Sequence, residues 1–94
     1  MDQPATMTHL FLEYDEAVDA AYLKFSDLPF GHHVRLDDAR GVDYAADGSI
    51  IGIELLSPAR RGVVVDGLPL AADVERVMNA RGFRIVRTRH RAPA

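Results

Sequence analysis

Apolar positions along the chain alternate with polar ones far more often than they recur at helical spacing. His9–Tyr14 places Leu10, Leu12 and Tyr14 on one face and His9, Phe11 and Glu13 on the other. That is the period-two pattern of a half-buried strand. Asp15–Asp19 is too polar for a strand centre, and Ala20–Phe25 then sets Tyr22 and Lys24 against Leu23 and Phe25. The pattern predicts a hairpin closed by one tight helical turn. Ser26–Gly31, with Pro29 and Gly31, reads as a loop. His33–Asp37 is a third strand, Asp38–Gly41 a bend or bulge within the same segment, and Val42–Ala45 its continuation.

Asp47-Gly48 separates two β-prone runs, Val42–Ala46 and Ser49–Leu56. The dipeptide suits a two-residue type I′ turn, in which both central residues have positive φ. That turn pairs Ala46 with Ser49, Tyr44 with Ile51 and Val42 with Ile53. Val42, Tyr44, Ile51, Ile53 and Leu55 then share the buried face. Asp43 faces Gly52 on the opposite side, with Glu54 diagonal to it.

Ser57–Gly62 reads as a loop or short turn and Val63–Val65 as a brief strand. A helix is expected over Pro69–Arg81, with proline at its first position. Leu70, Val74, Val77 and Met78 lie along one face. Asp73 and Glu75 come early and Arg76 and Arg81 late, as the helix dipole favours. Gly82 is the natural stop, and Phe83–Val86 suggests a last strand. The fold class is therefore α+β: a small antiparallel sheet of two hairpins with a C-terminal helix packed on one face. Residues 9–88 are expected to form a single domain, between a flexible arm at 1–8 and a flexible tail at 89–94.

Composition narrows the chemistry. There is no cysteine, which removes disulfides, thiolate zinc sites and cysteine nucleophiles. The first residues lack a basic region followed by an apolar one. No apolar run approaches the ~20 residues of a membrane span. A cytoplasmic protein without membrane association is the expectation. Net charge is −3 but unevenly spread. Through Leu56 three basic residues stand against eleven acidic ones; from Ser57 eight arginines stand against three acidic residues. Such a split suits head-to-tail self-association or an interaction tail. The preference for arginine, ten to one lysine, also fits the coding bias of a GC-rich genome.

Two stretches carry a family resemblance. Tyr14-Asp15-Glu16-Ala17-Val18-Asp19-Ala20-Ala21-Tyr22-Leu23 and Asp47-Gly48-Ser49-Ile50-Ile51-Gly52-Ile53-Glu54-Leu55-Leu56 stand in this order. Together they resemble the domain of unknown function 2283 family of small bacterial proteins. That family pairs a Tyr-Asp-Pro-x-x-Asp-x-Leu-Tyr segment with a later Asp-Gly-x-Ile-x-Gly-Ile-Glu-Ile-Leu segment. Glu16 replaces the usual Pro and Ala21 the usual Leu. The resemblance covers about Leu10 to Leu56 and implies a fold rather than a reaction. It also implies an antitoxin-like, partner-binding role, because some members look like neighbours of small toxin-like proteins.

Four groups of residues are candidates for chemistry. Asp43, Gly52 and Glu54 form one patch of sheet. Two carboxylates lie on either side of a bare glycine there, suiting a binding surface, an acid/base pair or a cation; the plainer reading is a solvated face, or one on which Arg35 or Lys24 pairs with one of them. Asp15 and Asp19 are hard-cation ligand types, but capping of the turn between the first two strands is the favoured account of them. Arg84, Arg87, Arg89 and Arg91 give a basic segment that suits phosphate backbones, against a strongly acidic body that disfavours nucleic acid. His32 and His33 are adjacent, so on a strand they point to opposite faces; His9 and His90 have no motif around them. No nucleophile elbow, P-loop or dinucleotide glycine pattern occurs.

The leading expectation is a non-enzymatic protein-binding or regulatory module without a cofactor, acting as a homodimer or on a protein partner. The alternatives are a metal-assisted or acid/base enzyme using the carboxylates, and nucleic-acid binding through the arginine segment.

Overall fold

The computed structural model describes residues 11–87. The expected features at His9, Leu10, Arg89, His90 and Arg91 lie outside them. The chain divides between Ser57 and Pro58 into two compact units.

The first unit is a five-stranded antiparallel sheet. Its strands are β1 (Phe11–Asp15), β2 (Ala20–Lys24), β3 (Phe30–Arg35), β4 (Arg40–Ala45) and β5 (Ile50–Leu56). Their spatial order is β1-β2-β5-β4-β3. β1 and β2 form the expected hairpin, Asp15 opposite Ala20. Its four-residue turn ends on Asp19 in the left-handed region, φ 55°, where a short polar side chain is tolerated. The pairing of Val42 with Ile53 and of Asp43 with Gly52 is as expected. Ala21, Leu23, Val42, Ile51, Ile53 and Leu55 are all buried. They are inward-facing apolar positions of the three inner strands.

Three details depart from the sequence reading. The Asp47-Gly48 reversal has three loop residues, not two. Ala45 N–H donates to Ser49 O at 2.8 Å and Gly48 N–H to Ala45 O at 2.9 Å, and only Gly48 has positive φ, 91°. This is a type I turn closed by a glycine bulge. A further irregularity between Asp43 and Tyr44 puts Tyr44 opposite Ile50 instead of Ile51.

Second, Asp38–Gly41 is no bend within a strand. The chain reverses there, and β3 and β4 are separate antiparallel strands. Asp37 drives the reversal: its carboxylate accepts the Ala39 N–H at 3.0 Å and Arg40 Nε–H at 2.9 Å. Leu36 N–H closes the turn on Arg40 O at 2.8 Å. The Arg40 bond holds the Asp37 carboxyl below its ordinary pKa.

Third, Phe30 and Gly31 belong to β3 instead of the preceding loop. The register shifts between Phe30 and His32. A Cβ on Gly31 would lie 2.4 Å from Ala46 N and 2.5 Å from the Ala45 carbonyl carbon, so backbone passes backbone at this bulge.

The second unit holds α1 (Pro58–Arg61), β6 (Val63–Val64), α2 (Ala71–Ala80) and β7 (Ile85–Val86), with β6 and β7 parallel. Helix α2 starts later than the sequence suggests. Leu70 is its N-cap, in the left-handed region at φ 56°, so Pro69 precedes the helix. Gly82 ends it as expected. Phe83 N–H reaches Met78 O at 3.0 Å and Gly82 N–H reaches Asn79 O at 3.0 Å, the paired bonds of a Schellman stop. Val74 and Met78 are fully buried. Among the described residues no helix is long and apolar enough to cross a membrane.

Candidate functional site

The face of the sheet opposite the buried residues is built in two cross-strand rows. One runs Glu13, Tyr22, Glu54, Gly41, Arg35; the other runs Phe11, Lys24, Gly52, Asp43, His33. The predicted trio Asp43, Gly52 and Glu54 therefore does come together, on neighbouring positions of β4 and β5. Each row has one glycine at an inner strand, and each glycine is covered by a ring.

A Cβ on Gly52 would lie 2.1 Å from the Tyr22 hydroxyl oxygen. A Cβ on Gly41 would lie 2.5 Å from His33 Cε1 and 2.8 Å from its Nε2. The absence of side chains at these two points lets both rings lie flat over the backbone and converge on Asp43. Tyr22 O–H donates to Asp43 Oδ2 at 2.9 Å, while His33 Nδ1 is 2.6 Å from Asp43 Oδ1. One carboxylate thus binds a phenol and an imidazole, one on each oxygen. His33 and Asp43 are opposite residues on β3 and β4. Leu36 donates its N–H inward to β4, so by strand alternation this is a non-hydrogen-bonded pair, in which side chains stand closest.

Burial and the bond to Asp43 raise the Tyr22 phenol well above its ordinary pKa. Tyr22 is consequently a fixed donor rather than a base. Glu54 accepts from Arg35 at 2.7 Å across the intervening Gly41. Lys24, the other cation considered for this face, pairs with Asp27 at 2.9 Å. A shallow hollow of about 270 Å³ adjoins the network, lined among others by Glu13, Tyr14, Tyr22 and Glu54.

The other predicted residues are placed elsewhere. Asp15 Oδ1 accepts the Ala17 N–H at 3.0 Å, and Asp19 Oδ1 accepts the Tyr14 hydroxyl at 2.8 Å. Both carboxylates fasten the β1–β2 turn. The bond to Asp19 raises the Tyr14 phenol above its ordinary pKa. Among the described residues no group of three or more His, Asp or Glu side chains is arranged to hold a metal ion. Arg87 pairs with Glu75 of α2, and the Arg84 guanidinium passes Gly62. His32 and His33 point to opposite faces as expected, with His32 stacked on Tyr44 at 5.2 Å between ring centroids.

Sequence reasoning missed the roles of Tyr22 and His33 in this network and the character of β3. All six β3 residues are exposed, and Phe30, Val34 and Leu36 are 63%, 39% and 38% exposed. Among the described residues β3 pairs only with β4. Alternation from the inward Leu36 N–H leaves the backbone N–H and C=O of His33 and Arg35 on the open edge. The signal for this was present in the Asp37-Asp38 pair, whose side chains favour a reversal over a bend.

The fold and this site define a small α+β protein whose antiparallel sheet presents a polar face and, among the described residues, two edge strands, β1 and β3. The family described as "Protein of unknown function (DUF2283)" matches residues 12–57, which run from β1 through β5. No curated protein and no solved structure matches the chain.

Proposed function

We propose that the protein is a non-enzymatic, cytoplasmic protein-binding or regulatory module, and that the β3 edge with its flanking side chains is its contact surface. The observation that carries this reading is the exposure of β3 along its whole length, with Phe30, Val34 and Leu36 open to solvent. Folded proteins ordinarily protect an edge with lysine, proline, a bulge or a covering element, and the one bulge of β3 lies at its start, between Phe30 and His32. β3 contains neither lysine nor proline. The polar side chains support the same reading, since Tyr22 and His33 are bonded to Asp43 and Arg35 to Glu54, and both groups stiffen the surface beside that edge.

The test is recovery of partners from the native cell with wild-type protein and with Phe30→Ser/Val34→Ser. A partner held by the wild type and lost from the folded variant supports the reading. Equal recovery by both contradicts it.

One observation favours a second reading, an acid/base enzyme. Asp43 holds His33 by Nδ1, the arrangement by which a carboxylate orients an imidazole for proton transfer at Nε2. This reading predicts a hydrolytic or isomerising turnover abolished by His33→Gln and by Asp43→Asn. Activity that survives His33→Gln contradicts it.

A further inference from the structure

We infer that the occupant of the β3 edge is β3 of a second copy of this chain, paired antiparallel about a two-fold axis through Val34; this rests on the edge being the contact surface. The argument begins with the backbone. His33 and Arg35 flank Val34 and carry the outward N–H and C=O groups, as the inward Leu36 bond requires. Antiparallel pairing centred on Val34 places His33 of each copy opposite Arg35 of the other. The outward groups of those residues then meet as ~4 N–H···O bonds, two per pair.

Side chains agree with this register on both faces. On the polar face each copy carries His33 bonded to Asp43 and, next along the strand, Arg35 bonded to Glu54. Setting Arg35 against His33 of the partner subunit brings the guanidinium beside a carboxylate-bound imidazole. The row across the seam then reads Glu54, Gly41, Arg35 and, in the partner subunit, His33 and Asp43, so each guanidinium lies between its own carboxylate and one of the second copy. A shift centred on Arg35 would oppose two guanidinium groups, which is destabilising. On the opposite face Val34 meets its own symmetry mate and Leu36, just past the strand, lies opposite His32 of the second copy, so Val34 is covered by an apolar neighbour. A self-complementary strand needs an isologous contact, and a two-fold dimer is the closed form of one.

The chain has no cysteine, so a single introduced thiol reports the register. In a non-hydrogen-bonded antiparallel pair the two Cα atoms are about 4.5 Å apart, inside the range a disulfide accepts. Val34→Cys under mild oxidation is expected to give a covalent dimer with retained β-sheet circular dichroism. Asp47→Cys at the β4–β5 turn is the collision control and is expected to stay monomeric. Val34→Cys that cross-links no faster than Asp47→Cys overturns the proposal, and preferential linking by His33→Cys overturns the register.

Sedimentation equilibrium supplies the second arm. Arg35→Pro removes an outward donor without removing a bond to β4, a position at which an edge strand admits proline. It is expected to weaken the dimer by ~10-fold or more. A wild-type protein that sediments as a monomer at high micromolar concentration overturns the second copy as occupant. Should that monomer still hold a cellular partner lost from Phe30→Ser/Val34→Ser, the contact-surface reading stands and only its occupant changes.

Discussion

β5 and β3 both pair with β4, one on each side of it, yet they share almost nothing else. In β5 the alternate residues Ile51, Ile53 and Leu55 are buried, with Ile53 entirely out of water, and Gly52 lies beneath the Tyr22 ring. In β3 every residue is exposed. The same ladder of backbone bonds thus serves two ends. A strand paired on both sides supplies the apolar contacts that make folding favourable. A strand paired on one side contributes little to the core, and its exposed length is free to contact another chain. Function is best sought where the sheet spends least on its own stability.

The contrast is broken most severely at Ile53. Ile53→Ala removes a fully buried side chain from the central strand and is expected to cost about 3–4 kcal/mol. Urea unfolding monitored by circular dichroism measures it; a loss under about 1 kcal/mol would mean that β5 is not the centre of the core. Next comes Gly31→Ala. Its methyl group meets the Ala45–Ala46 backbone, which cannot turn aside as a side chain can. A loss of about 2–3 kcal/mol is expected, the only large effect within β3, and it acts through the bulge rather than through burial.

Tyr22→Phe sharpens the comparison at the polar face. Losing the hydroxyl leaves Asp43 one donor short and is expected to cost about 1 kcal/mol near neutral pH. The phenol's pKa is raised in the folded state by burial and by Asp43. Stability from this shift is therefore fully present below the unfolded tyrosine pKa and is lost as pH rises through the folded one. Wild-type protein should lose stability on the alkaline side more steeply than Tyr22→Phe, as thermal melts across that range would show. Identical slopes would detach Tyr22 from the network. Smallest of all, Val34→Ala on β3 is expected to change the stability of the dilute protein by about 0.5 kcal/mol. A cost like that of Ile53→Ala would show β3 to be core.

Much of the sheet was legible because its rules are local and repetitive. Alternation located β1, β2, β4 and β5, and Asp47-Gly48 placed a reversal between the last two. The inner register at Val42–Ile53 and Asp43–Gly52 survived an error in turn type. A three-residue loop and the irregularity at Tyr44 offset each other, so only Tyr44 and Ala46 lost their expected partners. Helix α2 was legible from apolar spacing and from Gly82. Its start was misplaced because Leu70 takes a left-handed conformation that an apolar side chain does not announce.

The candidate site was half legible. Register alone brings Asp43, Gly52 and Glu54 together. Recruiting Tyr22 from β2 and His33 and Arg35 from β3 depends on which strands flank the hairpin, and that is a matter of topology. Reading Asp38–Gly41 as a bend kept β3 from being recognised as an edge of its own. Asp15 and Asp19 show the opposite case, where nearby turn chemistry accounts for both carboxylates.

Amide hydrogen exchange, resolved residue by residue at low and at high protein concentration, bears most directly on the division between β3 and β5. The N–H groups of His33 and Arg35 should exchange rapidly in dilute solution and slow as the concentration rises, while those of Ile51 and Ile53 stay slow throughout. Rates at His33 and Arg35 that are slow in dilute solution, or unchanged by concentration, would contradict an open edge closed by a second copy.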